Sequence, residues 1–326
     1  MRVRASAPGK VILFGEHSVV YRGPAVVLAI DRRVEVSAEL RNDTKICITT
    51  PDIGISGYYE GQRYYPVSGG ETGSQHLRPI LAACRSVMDR LQIESGLDLR
   101  VNSDLPMAVG LGSSAALSVA VVAALDAVWD GKLSVERIVE LSMPSERIVH
   151  GTPSGIDNTI AAFGGGLVYE LPRRVERLPD LDEVPLVLGN TGVRRSTGKL
   201  VAWVKNFKER NSSVEKVIDA IAYVAEQGRD ALLEADMKRV GELMSMNHGL
   251  LWALGVSTPD LDRLVSSSLR AGAYGAKLTG AGGGGCMVAV STKARQAAVS
   301  KAIERSGGYP LSVKTSKKGL LVQKEP

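Results

Sequence analysis

Two glycine-rich segments and a few charged residues are the parts of this sequence best suited to chemistry. Gly110-Leu111-Gly112-Ser113-Ser114-Ala115-Ala116 opens a strongly apolar stretch of helical character, with Pro106 just ahead of it. Glycines before a helix let the backbone approach an anion, and the unpaired N–H groups and positive end of the helix dipole converge there. The segment is therefore a candidate site for a phosphate group. Ser113 and Ser114 could cap the helix, and one hydroxyl could also reach a magnesium ion. No Gly-Lys-Ser/Thr follows, so this is not a Walker A loop. Taken alone, it would serve equally as a Gly turn with a serine cap.

Thr279 to Gly285 is the second such segment, set before the apolar run Cys286–Val290. Each glycine loses roughly 0.5–1 kcal/mol of chain entropy relative to alanine, which a loop without close-approach duty would seldom keep. Lys10 and the pair Glu16-His17 flank a short apolar strand. Lys10 could bind a phosphate or substrate anion, and Glu16 and His17 a hydroxyl or carboxylate; each alone reads as a surface ion pair. Glu146 and Asp157 stand on either side of the turn 150–155. Ser154-Gly155-Ile156-Asp157 fits a capping box, which would give Asp157 a purely structural duty. The same position offers a carboxylate to Lys10 and to a substrate hydroxyl. Glu146, if it faces the first glycine segment, could share magnesium with Ser114.

These residues need elements to hold them. Apolar runs at 11–14 and 25–30 predict strands, 43–73 short strands and loops, and 76–92 a helix with apolar positions at helical spacing. Leu97 to Val101 alternates as a half-buried strand, and 114–129 is apolar almost all round, as a buried helix is. Pro144 should break or kink the helix over 134–150, so that two shorter helices stand level with a single one. In the second half the spacing predicts a strand at 185–188, helices near 197–208, 213–228, 235–253 and 259–271, and strands near 286–291 and 310–323. Thr258-Pro259 is a favoured helix start and Gly272 a favoured stop. Gly164-Gly165-Gly166 and the polar stretch 172–185 place a domain boundary near residue 180, giving units 1–180 and 181–326.

Composition narrows the class. A chain of 326 residues, 44% hydrophobic and 23% charged with 35 glycines, is long enough for two packed α/β units with many tight turns. The net charge of +5 suits an anionic ligand, yet the basic residues are scattered, so nucleic acid is not an expected partner. Three widely separated cysteines without CxxC spacing predict reduced thiols and no zinc site. No stretch has signal-peptide or membrane-spanning length, so no membrane partner and a cytoplasmic location are expected. A homodimer is compatible with these features.

The run from Pro8-Gly9-Lys10 through Glu16-His17, Gly110 to Ala116, and Lys277 through Gly285 resemble, in order, the three signature motifs of the GHMP kinase superfamily. Within it, Lys10 to Tyr21, His150 to Asn158 and Lys277 to Cys286 resemble the mevalonate kinases. The likeness extends from Ala7 to about Val290. It implies an α+β, two-domain GHMP kinase fold, with a ribosomal-S5-like N-terminal domain, a ferredoxin-like C-terminal domain, and ATP and mevalonate in the cleft between them. By resemblance Asp157 is the catalytic aspartate and Lys10 its partner. Ser114 and Glu146 hold Mg2+, Gly110 to Ala116 bind ATP, and Glu16, His17, Thr197, Gly280 and Ala281 join Lys10 on the substrate side, with 242–247 nearby. Two departures stand out: Ala108 replaces a usual glycine, and Gly23 sits one place late. The alternatives are a kinase of phosphomevalonate or another hydroxy acid, an ATP-dependent decarboxylase, and a binding module without catalysis.

Overall fold

The computed structural model describes residues 2–106, 110–151, 153–171, 174–179, 181, 183–193 and 197–325, the side chains of Arg174 and Thr197 excepted. The first strands are β1 (Arg2–Phe14) and β2 (Ala25–Arg41), followed by β3 (Ile46–Thr50), β4 (Ile55–Glu60) and β5 (Arg63–Ser68). Helix α1 (Gly73–Leu91), β6 (Gly96–Ser103), α2 (Ser113–Val128), α3 (Val135–His150) and α4 (Ile156–Phe163) come next, then β7 (Gly166–Glu170) and β8 (Arg174–Arg177). The second part comprises β9 (Pro185–Asn190), α5 (Thr197–Arg210), α6 (Ser213–Leu233), α7 (Met237–Ala253) and α8 (Pro259–Arg270). It continues with β10 (Gly275–Leu278), β11 (Cys286–Val290), α9 (Gln296–Arg305), β12 (Tyr309–Lys314) and β13 (Leu321–Glu325).

Two sheets result. The first runs β13-β1-β2-β6-β3-β4-β5, with β7 pairing β2 and β8 pairing β7; β3 and β6 are parallel, the other pairs antiparallel. Its core face follows from strand alternation: Val3, Ala5, Ala7, Val11 and Leu13 on β1, and Leu97, Leu99 and Val101 on β6, are buried. Helix α2 is buried nearly all round, packed on β1 and β2 and against α1, α3 and α4. The second sheet runs β10-β11-β9-β12, the four-strand order of a ferredoxin-like β-α-β-β-α-β unit, with α8 and α9 packed on it. The fold is the α+β arrangement that the resemblance implies.

Two local expectations are resolved. Helix α3 passes through Pro144 unbroken, because Leu141, Ser142, Ser145 and Glu146 are buried on both sides of it and hold the helix across the lost donor. The predicted strand 310–323 is two strands, and the second, β13, leaves the second sheet to pair with Arg2–Ser6 of β1. Strands β7, β8 and β10 and helix α9 carried no separate prediction. The expected start of α8 is present, Thr258 accepting from the N–H of Leu261 at 3.4 Å. Among the described residues no helix is long and apolar enough to cross a membrane.

Candidate active site

Lys10 lies on β1 against the first glycine segment. Its backbone N–H donates to the carbonyl of Leu111 at 2.8 Å, and a side chain on Gly112 would stand 2.9 Å from the Lys10 stem. Gly112 is also at φ +75, a conformation that glycine adopts without penalty. It is the N-cap of α2, and among the described residues no side chain caps that helix. The serine-cap expectation is therefore overturned: Ser113 and Ser114 lie inside the first turn, and the glycine cap keeps the helix mouth open. Orphan N–H groups at such a mouth suit an anion. Pro106 is described; Ala108 lies outside the described residues.

The Lys10 ammonium meets the Asp157 carboxylate at 3.1 Å, with the lysine 5% and the aspartate 31% exposed, so the pair opens on its carboxylate side. The capping box does not form. Ser154 Oγ accepts from the N–H of Ile156 at 3.4 Å, the N-cap of α4 is Gly155, and Asp157 turns to Lys10. Asn158, next in the chain, fixes α4 by donating to Ser142 Oγ at 2.7 Å and Ser118 Oγ at 3.3 Å, one on α3 and one on α2. The Tyr169 hydroxyl donates to the carbonyl of Ser154 at 2.5 Å.

Glu146 projects from α3 beside this pair and is 1% exposed. Burial foremost, then the charge of Asp157, pushes its carboxyl up to about 7, while Ser114 and Lys10 act the other way. Its Oε1 is buried without a hydrogen-bond partner. His150 Nε2 lies 3.6 Å from Glu146 Oε2 and 3.3 Å from Ser114 Oγ. An orphaned carboxylate oxygen beside a hydroxyl is the donor set a hard cation takes when substrate phosphates supply the rest. Among the described residues no three His, Cys, Asp or Glu side chains gather to hold a metal on their own.

Glu16 and His17 turn inward. Glu16 is 2% exposed, its carboxylate paired with Lys277, and His17 Nε2 is 2.9 Å from the carbonyl of Ala281. The second glycine segment sits on β1 through Thr279, whose hydroxyl accepts from the Ile12 N–H at 3.1 Å and donates to its carbonyl at 3.0 Å. Gly282 is at φ +83, and a side chain there would strike the Val256 carbonyl at 2.1 Å. Gly280 and Ala281 thus lie beside His17. Thr197 begins α5, and its side chain, with Arg195 and Ser196, lies outside the described residues. Sequence reasoning gave Lys277, Thr279 and Asn158 no role; a lysine between Ala276 and Leu278, in an apolar strand, was the available signal for the first.

The sequence matches the family model for the GHMP kinases N terminal domain over residues 78–166 and that for the GHMP kinases C terminal over 229–309. Mevalonate kinase of Thermococcus sibiricus is 41% identical over 333 residues, covering 99% of this chain and 99% of that protein. Mevalonate kinase of Pyrococcus furiosus is 41% identical over 334 residues, again 99% of each. Among solved structures, L. major mevalonate kinase in complex with R-mevalonate superposes with a TM-score of 0.83 at 28% identity over 96% of both chains. With that identity sustained across almost all of its length, the chain belongs to the mevalonate kinase family of the GHMP kinases.

Proposed function

We propose that this chain transfers the terminal phosphoryl group of ATP to the primary 5-hydroxyl of mevalonate, giving 5-phosphomevalonate. The observation that carries the reading is the Lys10–Asp157 pair at 3.1 Å, held by the backbone of Leu111 at the uncapped mouth of α2. Phosphoryl transfer asks chiefly for positioning and charge stabilisation. Gly110 to Ala116 offer backbone N–H groups to the nucleotide phosphates. Lys10 faces the transferring group, and Asp157, held close by it, orients the acceptor hydroxyl and takes its proton as the bond from that oxygen to the γ-phosphorus forms and the bond from the γ-phosphorus to the β,γ-bridging oxygen breaks, ADP leaving.

Ser114 Oγ and Glu146 are the residues that would hold a magnesium ion, which fits the orphaned Oε1 of Glu146. Bound there, it would neutralise charge on the phosphates. Glu16, His17, Gly280 and Ala281 form the proposed acceptor side, with Thr197 as a further contact. The proposed domain division near residue 180 falls between β8, on the first sheet, and β9, on the second. The decisive experiment is a coupled ADP-release assay over mevalonate, phosphomevalonate, diphosphomevalonate, homoserine and galactose. ADP with mevalonate alone, and a phosphate located at the 5-oxygen by NMR, is expected. ADP with none of them overturns the reading, and CO2 release from diphosphomevalonate would make the chain a decarboxylase.

A further inference from the structure

Lys277 is fully buried on β10 of the second sheet, between the buried residues Ala276 and Leu278. Its ammonium donates to the carboxylate of Glu16, in the turn that follows β1 of the first sheet, and to the Leu278 carbonyl at 2.7 Å. Burial pulls the lysine down and pushes the glutamate up, so neither would hold its charge easily without the other. A pair of this kind adds little net stability, because desolvation offsets the attraction; losing one partner, in contrast, leaves a buried uncompensated charge. Its neighbours suggest what else it does.

Along one short stretch, Lys277, Thr279 and Ala281 reach Glu16, Ile12 and His17 respectively. All three contacts fall on the few residues just after Lys10. His17 is held at φ +62, a backbone state uncommon outside glycine that persists only where its surroundings over-determine it. The contacts on either side of it, Glu16 to Lys277 and His17 to Ala281, supply that determination. Glu16 keeps one oxygen, Oε2, buried and without a hydrogen-bond partner, while the other is taken by Lys277.

We propose that Lys277 is a positioning residue for the phosphoryl transfer: acting through Glu16, it fixes the Glu16-His17 turn as the wall against which the acceptor substrate binds. It need not touch the substrate. The inference rests on the reading under Proposed function, which assigns the acceptor side to this turn, while ATP is held at the other end of the site by Gly110 to Ala116. Loss of Lys277 should therefore fall on mevalonate and spare the nucleotide.

Steady-state kinetics of the wild type, Lys277→Met, Glu16→Gln and the double variant, with mevalonate and ATP varied separately and melting followed in parallel, test this. Each single variant is expected to raise the KM for mevalonate about tenfold or more while the KM for ATP stays within about twofold. The double variant should be no worse than the worse single, since one interaction is being removed twice. If Lys277→Met does not fold, the charge-free double variant compared with Glu16→Gln carries the test, with equal mevalonate KM values expected. A folded variant with a lower melting temperature but an unmoved mevalonate KM, an equal rise in both KM values, or losses that multiply in the double variant would overturn the proposal. Wild type that fails to phosphorylate mevalonate would overturn the functional reading instead.

Discussion

At the scale of single residues, the site combines a half-buried carboxylate, a shielded ammonium and a buried carboxylate that resists its own charge. Asp157→Asn keeps the shape and removes the charge facing Lys10. Its kcat is expected to fall by roughly 10²–10⁴ with little change in the KM for ATP, measured by ADP release. Glu146→Gln separates stability from function. The folded-state value near 7 lies above the ordinary 4.5, so the wild type bears a cost that is absent below about pH 4.5, grows between 4.5 and 7, and is complete above 7. The glutamine variant should therefore melt higher than the wild type in metal-free buffer at pH 7.5, lose that advantage toward pH 4.5, and show little activity. Arg22 is exposed at φ +71, the left-handed state that a glycine one place earlier would have filled, while Gly23 packs where a side chain would meet Ala222 at 2.8 Å. Arg22→Gly should stabilise the protein by about 0.5–1 kcal/mol in urea denaturation, the relief of strain outweighing the added chain entropy. Lys10, Ser114, Glu146 and Asp157 stood out as candidates by residue type and flanking glycines, the family resemblance supplied their proposed roles, and the structure brings them together. The inward turn of Glu16 was not, because its partner lies 261 residues away in the chain.

At the scale of elements, long periodic segments were readable and short ones were not. Helix α2 declared itself by unbroken apolarity, and α8 by Thr258-Pro259 and Gly272. Strand β10 has only four residues, too few to show a period, and is defined by its pairing with β11. Helix α9 buries only Val299 and Ile303, too few positions to set a period. Pro144 left one helix and two equally open, and tertiary packing decided for one. The loop after β10 is tied to β1 through one hydroxyl, and this can be measured. Thr279→Val keeps the volume but leaves the Ile12 amide and carbonyl without that buried partner, and should cost about 1–3 kcal/mol in urea denaturation.

At the scale of the whole molecule, the two sheets are joined by contacts that the sequence could not show, since each links residues hundreds of positions apart. The buried Lys277–Glu16 pair and the Thr279–Ile12 bonds lie at one such seam. The crossing of β13 into the first sheet is another. Removing residues 321–325 would expose the outer edge of β1 over Arg2–Ser6 while leaving Lys10 and the second sheet as they are. The shortened protein should melt lower and aggregate faster by light scattering, yet keep kcat near the wild-type value at low temperature. The same pairing also bears on the order in which the protein is made. Arg2 to Ser6 are made long before their neighbour on the outer side, residues 321–325, Arg2 facing Glu325. From the synthesis of β1 until that of β13, that flank of β1 carries unpaired backbone groups, and the first sheet can close only after the second has been made.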